Sequence, residues 1–139
     1  MEKIHLTVET KIVDSEGSED TIEFATEGKI ISKNGKTYIY YNESEISGME
    51  GCLTTLRIDD SETLIMKRYG SNSMELLFRE GNTHEDNYRT PYGIFDIIAK
   101  TKKLQMEYDG NKSGSILVEY DLEVVGLVNS YNIIKIKFQ

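Results

Sequence analysis

Two histidines, one cysteine, one proline and no tryptophan occur among 139 residues, and these scarcities exclude several kinds of chemistry. A lone cysteine cannot form an internal disulfide, so nothing points to an oxidising compartment. His5 and His84 stand apart from each other and from Cys52, and the ligand spacings of zinc motifs are absent. No metal and no other cofactor is expected. Neither a Gly-x-Ser-x-Gly elbow, a His-Glu-x-x-His pair nor a P-loop is present. Apolar runs such as Val124-Val125-Gly126-Leu127-Val128 fall far short of the ~20 residues that a membrane helix needs. The start, Met1-Glu2-Lys3-Ile4-His5, has no basic segment followed by an apolar one. A soluble, cytoplasmic protein is the expectation.

Positive charge is also in short supply. Sixteen Lys and Arg against 24 Asp and Glu leave a formal charge of −8. Nucleic-acid binders need clustered cations to displace counterions, and an anionic membrane repels a negative surface. Neither partner is expected. The length suits one ordinary domain, which buries roughly 68–70% of its unfolded surface and so needs no disulfide or metal to hold a core.

What the chain does have is period two. Ile4, Leu6, Val8, Thr10 and Ile12 share one face, and His5, Thr7, Glu9 and Lys11 the other. Successive side chains of a strand point to opposite sides of a sheet, so this is a half-buried strand. The pattern returns at Ile22, Phe24 and Thr26, is strongest at Ile116, Val118, Tyr120, Leu122 and Val124, and closes with Ile134, Ile136 and Phe138. Turn residues separate the runs about every ten positions. Asn34-Gly35, between two strand-like runs, tolerates positive φ twice and predicts a type I′ hairpin. No dozen-residue window keeps a helical apolar period. Pro91 marks a corner, Thr83-His84-Glu85-Asp86 reads as turn-like, and Asn42–Cys52 reads as an acidic loop. The expected architecture is all-β over residues 1–139, an antiparallel meander of about 8–10 strands closed into a small barrel. A Greek-key sandwich would need long crossovers, for which only Asn42–Cys52 has the length.

Arg68 is the sharpest candidate for a site. It follows Leu64 and Met66 at a spacing of two, which places it on an apolar face, whereas Arg57 alternates against Leu56 and Ile58. An inward arginine keeps its charge and needs a carboxylate, carbonyls or a bound anion. Asp96, between Ile94 and Ile98, is one partner if that face points inward; the competing face is Phe95-Ile97-Ala99. Nine tyrosines supply further polar tips on apolar faces, Tyr108 beside Leu104 and Met106, and Tyr120 beside Val118 and Leu122. Cys52 has Glu50 rather than a cation nearby, so a small, partly buried, unreactive cysteine is expected.

Lys67-Arg68-Tyr69-Gly70, then Met74, Phe78 and Gly81, then Thr90-Pro91-Tyr92-Gly93, with Tyr120-Asp121-Leu122-Glu123 near the end, resemble the YwiB-like family of uncharacterised bacterial proteins over essentially the whole chain. The resemblance implies a calycin-like barrel, related in architecture to lipocalins, and carries no activity, substrate or cofactor with it. Arg68, Tyr92, Asp96, Tyr108 and Tyr120 are the candidate lumen residues. The leading expectation is a binding barrel for a small apolar or amphipathic molecule, anionic groups included. A solidly packed structural or protein-interaction module is the alternative, and an enzyme without a recognisable motif the third.

Overall fold

A computed structural model describes residues 1–139. Ten strands form one sheet: β1 Glu2–Asp14, β2 Glu19–Lys33, β3 Lys36–Asn42, β4 Leu53–Asp60, β5 Thr63–Tyr69, β6 Met74–Phe78, β7 Thr83–Thr90, β8 Gly93–Tyr108, β9 Gly114–Val124 and β10 Val128–Phe138. The order is β6-β5-β4-β3-β2-β1-β10-β9-β8-β7, antiparallel at every ladder. Each neighbour is therefore a sequence neighbour except β1 and β10, which bring the two ends of the chain together from Leu6↔Phe138 to Asp14↔Ser130. The only other regular element is a 3-10 turn, Glu45–Ser47, inside the loop between β3 and β4. No helix is long and apolar enough to cross a membrane.

Period two is realised as inside and outside. Ile4, Leu6 and Val8 are buried, as are Ile116, Val118, Tyr120 and Val124 and the run Ile134, Ile136, Phe138. These belong to one contiguous cluster of 22 buried side chains in the lumen. Asn34 and Gly35 take φ of 54° and 76°, the double left-handed turn that their chemistry allows. Gly28 is required where β2 crosses β3, since a Cβ there would run into the Tyr40 carbonyl and the Leu6 side chain.

The barrel closes at a seam. β6 and β7 are joined by a tight turn, yet only Ser73 and Arg89 exchange backbone bonds across them, at 2.9 Å each way. Beyond that pair, side chains of β7 replace the ladder. Glu75 N–H donates to Asp86 Oδ2 at 2.7 Å, and His84 Nε2 lies 3.2 Å from the Glu75 carbonyl oxygen. Asn72 donates to the Tyr88 hydroxyl at 2.8 Å. Side chains that tie off an open edge also keep other strands from pairing with it. Thr83–Asp86 is thus strand rather than turn. The inward positions of β7, His84, Asp86 and Tyr88, are polar or half polar, so the apolar alternation that announces the other strands is missing.

Candidate functional site

Local register builds a polar row into an otherwise apolar lumen. Across β2 to β6 the inward residues Gly28, Tyr41, Thr54, Arg68 and Met74 lie side by side. On the other wall Thr101, Tyr120 and Asn132 form a second row, all three buried. Arg68 is buried, 8% exposed, as the Leu64-Met66-Arg68 alternation requires. Its carboxylate partner is Glu43, at the start of the β3–β4 loop, with Arg68 Nη2 3.5 Å from Glu43 Oε1.

Glu43 is held from several sides. Thr54 Oγ1 donates to Oε1 at 2.9 Å, Ser47 Oγ to Oε2 at 3.4 Å, and Glu43 N–H donates to the Cys52 carbonyl at 2.8 Å. The 3-10 turn that carries Ser47 is capped by Ser44 Oγ, which accepts from Ile46 N–H, and closed by Gly48 at φ 77°. Against this well-held carboxylate, Arg68 is poorly served. None of its N–H groups makes a hydrogen bond of good geometry, and Nε is enclosed with no partner at all. The Thr101 hydroxyl is likewise enclosed and unpaired.

Two phenols face this guanidinium. Burial pushes the Tyr120 hydroxyl up to about 12, and Arg68 pulls in the opposite direction. Burial, then Glu43, push Tyr41 further up, again with Arg68 opposing. A phenol whose folded value lies above its unfolded value of about 10 destabilises the fold once the unfolded chain begins to ionise. The stability contribution is therefore fully present below pH 10 and is lost as pH rises to about 12. Unfolding in urea at stepped pH should show a fall on the order of 2–3 kcal/mol from Tyr120 alone, and Tyr120→Phe should remove that part of the slope. A flat profile between pH 10 and 12 would contradict the burial of this hydroxyl.

The structure brings Arg68 and Tyr120 together and leaves the other candidates elsewhere. Asp96 is exposed on the outer face of β8, because Phe95, Ile97 and Ala99 take the inner one, so it is not the partner of Arg68. Tyr92 sits in the β7–β8 turn and is 90% exposed, which removes it from the lumen. Tyr108 packs on Phe138 and donates its hydroxyl to the Asn111 carbonyl at 2.8 Å, so it serves the β8–β9 turn. Glu43 is the residue that sequence reasoning missed. The one signal for it was the acidic character of the loop Asn42–Cys52 in which it lies. Cys52 is fully buried, its Sγ 3.8 Å from Ser71 Oγ. No group of three His, Cys, Asp or Glu side chains converges as metal ligands would.

The family model described as a domain of unknown function (DUF1934) matches residues 6–136. The chain belongs to that family. The uncharacterized β-barrel protein YwiB of Bacillus subtilis (strain 168) is 29% identical over 114 residues, covering 81% of this chain and 77% of its own. The crystal structure of the ywiB protein from Bacillus subtilis superposes with a TM-score of 0.84 at 26% identity, over 99% of this chain and 90% of that one. Family membership thus agrees with the barrel and brings no activity with it.

Proposed function

We propose that the barrel binds a small amphipathic anion, read by Arg68 at the polar row of the lumen. A single observation carries this reading: a buried arginine with one long ion pair, no hydrogen bond and an enclosed, unpartnered Nε. A guanidinium offers five donors in a fixed fork suited to carboxylate or phosphate. Glu43 lies 3.5 Å from one nitrogen, and the donors of the guanidinium are without hydrogen bonds in the fold. The phenols of Tyr41 and Tyr120 add donors beside it, and Met74 an apolar contact. The 22 side chains packed in the lumen mean that a ligand reaching Arg68 has to displace some of that packing, which favours a small one. The same packing is what favours the second reading, a solid structural barrel without a ligand. Use of the lumen as lipocalins use theirs is a fold-level analogy. A buried free thiol suits the reducing cytoplasm that this reading assumes.

Isothermal titration with butyrate, benzoate, octanoate and inorganic phosphate tests the proposal. One of the short carboxylates should bind, and Arg68→Lys should weaken it at least tenfold, since lysine keeps the charge opposite Glu43 but loses the planar fork. Binding by none of the four, or binding unchanged in the lysine variant, would leave the packed barrel as the better account.

A further inference from the structure

Outside the barrel, β3, β4 and β5 present a second surface that has no part in the lumen. Cross-strand register sets Tyr40, Thr55 and Lys67 in one row, with Tyr38, Arg57 and Ile65 in the row beside it and Leu53 and Tyr69 on the far side. Thr55 is small and everything around it is large, so the sheet surface sinks there into a groove of about 420 Å3, open on its outer side. Tyr38 and Tyr40 run along one wall, their rings 6.4 Å apart and nearly parallel at 9°. On the other wall Lys67 lies over the Tyr69 ring, 5.0 Å from its centroid, and makes no ion pair. The Thr55 hydroxyl in the floor is enclosed and has no hydrogen-bond partner in the fold.

Charge is inverted here relative to the whole. Lys29, Lys36, Arg57 and Lys67 outnumber Glu27, Asp59 and Glu75 on this face, on a chain of formal charge −8. Asp59 already pairs with Arg57 at 2.7 Å and lies 3.8 Å from Lys36. Glu75 stands opposite Lys67 in register without forming an ion pair with it, so the ammonium groups of Lys67 and Lys29 keep unpaired charge on this face. We propose that this groove docks an acidic peptide segment of a partner protein, which inserts a tyrosine side chain between Tyr40 and Tyr69. Tyrosine matches the site because its ring stacks on aromatic walls while its hydroxyl reaches a buried polar group. Aromatic anchors entering such concavities, with charged residues at the rim, are the usual centres of protein contacts. A long nucleic acid would meet the repulsion of the acidic remainder, whereas a short acidic segment stays within the cationic rim. The groove is open along its outer side, so a free small molecule would lack the enclosure of ligand pockets, which typically bury roughly 70–90% of the ligand.

The probe is a fluorescein-labelled Glu-Asp-Tyr-Asp-Glu peptide, read by fluorescence anisotropy against the full chain. Saturable binding is expected, weakened at least tenfold by Tyr→Ser in the peptide and by Thr55→Leu, which fills the floor. Lys67→Glu should also weaken it and flatten its salt dependence, and it serves alone if Thr55→Leu lowers the urea midpoint. No saturable binding, binding indifferent to both protein variants, or tighter binding of an oligothymidylate would overturn the proposal. So would a dimer in sedimentation that Thr55→Leu dissociates, since a second copy would then be the occupant. None of these readouts depends on Arg68 or the lumen.

Discussion

Arg68→Met is expected to lower the free energy of unfolding by about 3–5 kcal/mol, a large share of the ~5–15 kcal/mol typical of a domain. Removing the guanidinium leaves Glu43 in the barrel wall, its side chain 4% exposed and its charge without a counterion. The hydrogen bonds from Thr54 and Ser47 remain, but they do not neutralise it. Replacing both partners should cost far less, because a neutral pair of similar volume leaves no unpaired charge buried. Urea unfolding of Arg68→Met and of the double variant Arg68→Met with Glu43→Gln measures the difference. The double variant should recover most of the loss. A single-variant loss below about 1 kcal/mol would mean that Glu43 finds water on its own and that the pair contributes little to folding.

Phe78→Ala should cost a comparable 3–5 kcal/mol through a different mechanism. Phe78 is fully buried on β6, with its ring 4.8 Å from that of Tyr120 and tilted by 51°. Hydrogen-bonded strands around the lumen cannot move inward to fill the space, so most of the ring volume should persist as a cavity. An apolar void of that kind stays dry and accepts small aromatic molecules. Saturating benzene should therefore raise the stability of the variant and leave the parent protein unchanged. A loss under about 1.5 kcal/mol with no benzene effect would show that the lumen has slack and repacks.

Much of the fold was legible because it is local. Alternation in Ile4–Ile12, in Ile116–Val124 and in Ile134–Phe138 announces strands regardless of what they pair with, since the pleat alone sets which side chains share a face. Asn34-Gly35 carries its turn in its own dihedral preferences. The inward placement of Arg68 followed from the same alternation. The first half of β7, Thr83–Asp86, was hidden because its inward positions, His84 and Asp86, bond across the seam and are not apolar.

The sequence by itself therefore determined most of the strands and their faces, the Asn34-Gly35 hairpin and the burial of Arg68. The tertiary structure alone decided which long-range groups meet. A bulge between Thr101 and Lys103 shifts the parity of β8, so that Ile97 and Ala99 before it and Leu104 after it all face inward. Asp96 is turned outward by that choice of face. Closure joins β1 to β10 across the length of the chain and leaves the open seam between two strands that are adjacent in sequence. Glu43, in a loop with no periodicity, reaches Arg68 only because β3, β4 and β5 stack in register. Alternation is a property of one strand, whereas register, closure and ion pairing depend on contacts between residues far apart in the chain, which no local pattern encodes.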